Sequence, residues 1–109
     1  MENIKINNNI NKLIIDSVKP EQLENLEELE AIFDNRQSFY KKAHIGKYNN
    51  CIYLKSYDTI VACIFQNQIR IYGYYSTTTA RHIREFAKQN GFTYNITAQD
   101  MKNTCVISK

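Results

Sequence analysis

At 109 residues the chain has room for one modest core, and its 43% hydrophobic and 23% charged residues are ordinary for a soluble fold. A mean hydropathy of −0.51, with no apolar run near the ~18 residues that span a bilayer, predicts no membrane anchor, and the N-terminus lacks the basic and apolar regions of a signal peptide. Net charge is +3 but unevenly spread: residues 20–34 hold Glu21, Glu24, Glu27, Glu28, Glu30 and Asp34 with no base, so all fourteen Lys and Arg lie elsewhere.

Residues 1–18 place Ile4 and Ile6 in alternation, break at Asn7-Asn8-Asn9 and return to apolar at Leu13-Ile14-Ile15. They predict an N-terminal arm docked on the body. Pro20 suits the first position of a helix and Glu21 its positive end. Leu23, Leu26, Leu29 and Phe33 then recur at three- and four-residue steps. The spacing predicts an acidic helix over 20–34 with its glutamates outward. Residues 37–75 read as a β-meander. Phe39, Ala43 and Ile45 alternate with Tyr40, Lys42 and His44, and CIYLKSY, DTIVACIF and QIRIYGY are rich in β-branched and aromatic residues. Short polar connections at Asn49-Asn50 and Gln66-Asn67 imply antiparallel neighbours, and Ser56–Thr59 suits either a bend between two strands or a kink in one long strand.

A helix over 76–90 follows. Ser76 is its N-cap, Ala80, Ile83, Phe86 and Ala87 its inward stripe, and Gly91 the left-handed residue beyond its end. In the C-terminal segment, 92–109, Phe92 to Ile96 suits an edge strand. Thr97 with Asp100 makes a capping-box pattern for one more turn, and Val106 and Ile107 pack at the end. The expected architecture is α+β, a small antiparallel β-meander of three or four strands packed against two main helices.

Three segments, NRQSFYKKA (35–43), LKSYDTIVACI (54–64) and YYSTTTARHIREFAKQNGF (74–92), resemble a family of small proteins. Phages, prophages and plasmids of bacteria, Firmicutes especially, carry that family. The resemblance covers about residues 34–93. It is most specific in the Ser-Tyr-Asp-Thr-x-Val-Ala and Ser-x-Thr-Thr-x-Arg-His-Ile-x-Glu-Phe segments. It implies a setting in a bacterial cytoplasm and no known activity. Relatives often carry glycine at the position of Lys41, which suggests a bulge there.

No catalytic constellation stands out. The three cysteines, Cys51, Cys63 and Cys105, are widely spaced and read as reduced, with Cys51 and Cys63 in apolar runs as buried hydrophobes. The sequence holds no Cys/His cluster for a metal, no Gly-rich phosphate loop and no cofactor motif. His82, at the border of the helix stripe, reads as structural, donating to a backbone carbonyl. Two binding surfaces are expected. The first is the acidic face of Glu21, Glu24, Glu27, Glu28 and Asp34. Carboxylates so placed suit a basic groove on a host protein or ribonucleoprotein complex, as in an inhibitor of a defence nuclease such as an anti-CRISPR protein. The second, alternative surface binds an anion or nucleic acid. It comprises Ser76, Thr77 and Thr78 at the helix N-terminus, Arg81 reaching back over the first turn, and His82, Arg84, Lys88 and Arg70. The bland reading of the same residues has the hydroxyls capping the helix and Arg81 pairing with Glu85 four residues on. No membrane contact is expected, and the sequence is compatible with a homodimer.

Overall fold

Among the described residues six antiparallel strands follow one another across the sheet in the order of the chain. They are β1 (Glu24–Glu28), β2 (Ala43–Tyr48), β3 (Cys51–Ser56), β4 (Thr59–Phe65), β5 (Gln68–Ile71) and β6 (Val106–Ser108). The computed structural model describes residues 18–34, 39 and 41–109, so the expected N-terminal arm, Val18 apart, lies outside them. Hairpins join β2, β3, β4 and β5. Asn49 and Asn50 turn with φ of 50° and 65°, a conformation that asparagine tolerates. Tyr57 and Gln66 adopt φ of 56° and 57° at the next two turns, where neither side chain is favoured. Lys41, before β2, also lies in the left-handed region at 56°, which accounts for glycine suiting that position.

Helix α1 (Thr77–Gln89) crosses one face of the sheet. The Ser76 hydroxyl accepts from the Thr79 N–H at 3.1 Å. At the other end Gly91 takes φ of 88°, which lets the Phe92 N–H reach back to the Ala87 carbonyl at 3.0 Å. Ala80, Ile83, Phe86 and Ala87 point down onto Leu54, Ala62, Ile69, Ile71 and Ile107, all buried in one cluster. Ile83 and Phe86 are fully buried, each contributing about 1.5–3 kcal/mol by removal from water. A short helix, α2 (Ala98–Lys102), closes the corner with the Thr97–Asp100 capping box that the sequence predicts. A second, smaller cluster lies on the other face: Val18, Cys51, Tyr53, Ile60 and Cys63, with Leu23, Tyr48, Phe65 and Tyr72 against it.

The fold is α+β with an antiparallel meander, as expected, but it has six strands where three or four were expected. Two elements account for the excess. β6 forms where the sequence suggests only terminal packing, while Phe92 to Ile96 runs outside any strand with Phe92 and Ile96 buried. The larger correction concerns 20–34, which is not a helix. Pro20–Gln22 makes one 3-10 turn and Glu24–Glu28 is the edge strand β1. The leucine spacing misleads for a physical reason. Asn25 turns into the left-handed region at φ 55°, and the pairing with β2 slips between Glu24 and Glu27. That bulge adds a residue, so Leu23 and Leu26 fall on the same side, both over Gly46. A step of three thus arises from a bulged strand as readily as from a helix turn. Leu29 falls on the opposite side, in the main core, and Ile32 and Phe33 face solvent.

The same geometry predicts a steric limit. A Cβ on Gly46 would sit 2.8 Å from the Leu23 Cβ and 3.0 Å from the Leu26 Cδ1. Gly46→Ala is expected to push β1 outward and cost about 1–3 kcal/mol. Gly73→Ala, whose Cβ would meet nothing closer than 3.9 Å, serves as the tolerated control. Urea melts of the two variants check the difference.

Candidate functional site

The helix α1 carries polar residues at three- and four-residue steps along one side, Thr79, His82, Glu85 and Gln89, and each meets a different part of the chain. The Ser56 hydroxyl, at the end of β3, lies 2.8 Å from the Thr79 hydroxyl and 2.9 Å from the His82 Nδ1. Phe39 packs edge-on to the His82 ring at 4.6 Å, and the exposed Tyr57 ring lies tilted over it at 6.1 Å. Ser56, Thr79 and His82 are each at most 3% exposed. The Ser-Tyr-Asp-Thr segment and the Thr-Thr-x-Arg-His segment therefore touch each other here, inside the protein. A serine beside a histidine has the look of a nucleophile and its base. Both side chains are buried, and with Thr79 they form a hydrogen-bond network inside the protein.

One turn further along, Glu85 is buried at 1% exposure. Its carboxylate accepts from the backbone N–H groups of Ile32, Phe33 and Asp34 at 2.8–3.1 Å and from the Gln89 amide at 2.6 Å. Gln89 also donates to the Glu30 carbonyl. Beside them the Arg81 guanidinium grips Asp34 through two bonds, 2.9 Å from Nε and 2.8 Å from Nη2. An isolated carboxylate this deep costs several kcal/mol, and only converging donors offset it. Burial pushes the Glu85 carboxyl up. The Gln89 amide and the three backbone N–H groups outweigh that and hold it below the usual carboxylate range. Asp34 likewise raises the Arg81 guanidinium through its hydrogen bonds.

This clasp fixes the 31–34 loop against α1. Between them lies an open groove of about 520 Å³, lined by Phe33, Asp34, Thr77, Arg81, Arg84, Glu85 and Lys88. It gathers four residues of the second expected surface, Thr77, Arg81, Arg84 and Lys88. Of the others, Ser76 is spent on the N-cap and His82 is in the core. Thr78 does not line the groove, and Arg70 sits on β5 against Tyr72, 5.8 Å from its ring. Arg81 does not reach back over the first turn, nor does it pair with Glu85. It is committed to Asp34, which came from the acidic set and now belongs to the groove. His82 reads as structural, and its burial agrees with that. Among the described residues its Nδ1 meets the Ser56 hydroxyl.

Glu24, Glu27 and Glu28 of the first expected surface lie on β1, all exposed, with Glu21 and Glu30 exposed on either side. The acidic face is therefore a sheet edge and its approach, not a helix. Glu28 turns one oxygen to the Lys41 N–H at 2.7 Å.

Glu85 is the functional residue that sequence reasoning passed over, entering only as a partner for Arg81. Its signal is its position on α1, three residues after His82 and one before Phe86, which places it on the buried side of the wheel. Among the described residues no group of three or more His, Cys, Asp or Glu is arranged to hold a metal ion, and no helix is long and apolar enough to cross a membrane. The three cysteines are buried and none is bridged to another. Burial pushes the Cys51 thiol up, and the Cys105 thiol up to about 11, the direction that disfavours a thiolate.

Sheet, capped helix and clasp define a small α+β protein in which Glu85 and Arg81 of α1 hold the 31–34 loop in place. Residues 27–103 match the model of the family described as "Family of unknown function (DUF8033)", and the chain belongs to that family. No match to the chain was found among curated proteins or among solved structures.

Proposed function

We propose that this is a non-enzymatic binding protein of a phage or other mobile element. It docks its acidic edge on a basic surface of a host protein or ribonucleoprotein complex, most readily a defence nuclease, in the manner of an anti-CRISPR inhibitor. The observation that carries the proposal is the exposure of every residue of β1, with Glu21, Glu24, Glu27, Glu28 and Glu30 all turned to solvent within one short stretch. A row of carboxylates on a rigid edge stands where the phosphates of a nucleic acid would lie in an Arg/Lys-lined channel. Carboxylates repel their own copies edge to edge, so a partner of opposite sign is favoured over self-pairing.

The test is a pull-down of the tagged protein from a bacterial host, comparing the native chain with Glu24→Lys/Glu27→Lys/Glu28→Lys. Glu24 and Glu27 are exposed, so their changes should cost no more than about 0.5 kcal/mol each, while Glu28→Lys also gives up the bond to the Lys41 N–H, so the fold of the variant is checked by circular dichroism before capture is compared. Capture of a nuclease or nucleic-acid-binding partner is expected to fall at least about tenfold in the triple variant, and to weaken as salt rises. Equal capture by both chains would end the proposal.

A further inference from the structure

The groove beside α1 lies on a different element from the acidic edge and has chemistry of its own. Its loop wall is built at a cost: a buried carboxylate and three consecutive backbone N–H groups are used to fix residues 32–34. The side chains thereby held outward are apolar, Ile32 at 69% and Phe33 at 59% exposure. An exposed phenylalanine on a pre-ordered loop is a flat platform with little entropy left to lose on binding. The facing wall is cationic. Arg84, its Nε fixed on the Ile96 carbonyl at 2.7 Å, and the exposed Lys88 stand one helical turn apart. Both acids of the groove are already engaged, Asp34 by Arg81 and Glu85 by the loop backbone. Arg84 and Lys88 therefore set the sign of the surface an incoming ligand meets. The Thr77 hydroxyl lines one end of the groove.

An aromatic platform facing two cations one turn apart is the pairing that reads single-stranded nucleic acid: bases stack on the ring and phosphates meet the cations. The volume, about 520 Å³, lies within the range of small-ligand sites, roughly 300–1,000 Å³, and so suits a nucleotide unit rather than a duplex. We infer that the groove binds single-stranded nucleic acid, with one base on Phe33 and its flanking phosphates at Arg84 and Lys88. The inference does not depend on the acidic edge.

The probe is a fluorescein-labelled oligothymidylate of about 16 nucleotides, followed by anisotropy at about 50 and 200 mM salt. The native protein should bind it more tightly than a duplex of the same length. Phe33→Ala should weaken binding at least about fivefold without changing the salt slope, as loss of one stacked base does. Lys88→Ala should weaken binding and lower the slope by about 0.7, one phosphate contact on a single strand. Both side chains are exposed and neither enters the core or the clasp. The inference is overturned if the native chain does not bind, if the duplex binds as well, or if Phe33→Ala binds like the native chain. An anionic phosphopeptide competing as well as the oligonucleotide would overturn it too. Binding by the Glu24→Lys/Glu27→Lys/Glu28→Lys variant that still depends on Phe33 separates this site from the acidic edge.

Discussion

Glu85→Ala is expected to lower stability by about 3–5 kcal/mol, the usual cost of breaking a buried charged network by removing one partner. In a domain of this size that is a fall in Tm of at least about 12 °C. Three loop N–H groups lose their acceptor at once, and Gln89 loses one of its two. Glu85→Gln keeps one carbonyl oxygen and the side-chain volume, and should recover part of the loss. The effect also has a pH signature. Because the folded-state carboxyl is held below its ordinary value, its contribution is fully present above the unfolded carboxylate range near pH ~4.3. It is lost as pH falls through that range towards the folded pKa. Denaturant melts at neutral and acidic pH should therefore show a smaller pH dependence for Glu85→Gln than for the native chain. Identical stabilities of native protein and Glu85→Ala at neutral pH would mean that the clasp does not hold the loop.

His82→Ala is expected to cost about 3 kcal/mol, within the range for large-to-small changes at fully buried sites. The ring is 0% exposed, packs on Phe39 at 4.6 Å and bonds Ser56 at 2.9 Å. Its removal leaves a cavity and takes a partner from a buried hydroxyl. Ser56→Ala alone should cost less, about 1–2 kcal/mol, and the double variant should lose less than the sum, since the two share one hydrogen bond. Calorimetry of the three variants measures the coupling. A His82→Ala protein as stable as the native chain would argue that the ring works chemically and does not hold the fold.

The sequence was legible where local chemistry decides structure. Ser76, Gly91 and the Ala80–Ile83–Phe86–Ala87 stripe specify α1 without reference to anything distant. The Thr97–Asp100 box does the same for α2, and the apolar runs with short polar turns specify the hairpins. It was not legible where partners from far along the chain decide. Whether Leu23–Glu30 is helix or strand depends on pairing with β2, and glutamates that favour a helix are tolerated on an exposed edge. The groove was half legible. Thr77, Arg81, Arg84 and Lys88 share a visible helix face, but its loop wall at Phe33 and Asp34 lies 47–52 residues away from the α1 side chains that hold it. No periodicity encodes that distance. Glu85 was hidden because a charged residue on a helix is ordinarily solvated, and only the three N–H groups of a remote loop make its burial tolerable.

A sheet whose strands lie side by side in the order they are synthesised needs no crossover. Each hairpin closes over a short loop, at small entropic cost, before the next begins. Such a chain can zip from β2 to β5 quickly while α1 is still unmade. The step that ties sequence-distant parts together is the docking of α1, which must seat Glu85 under a loop 51–53 residues upstream. The acidic strand is placed by its pairing with β2, but the aromatic platform takes its position only when α1 has docked, so a chain without that closure carries the ring but not the groove beside it.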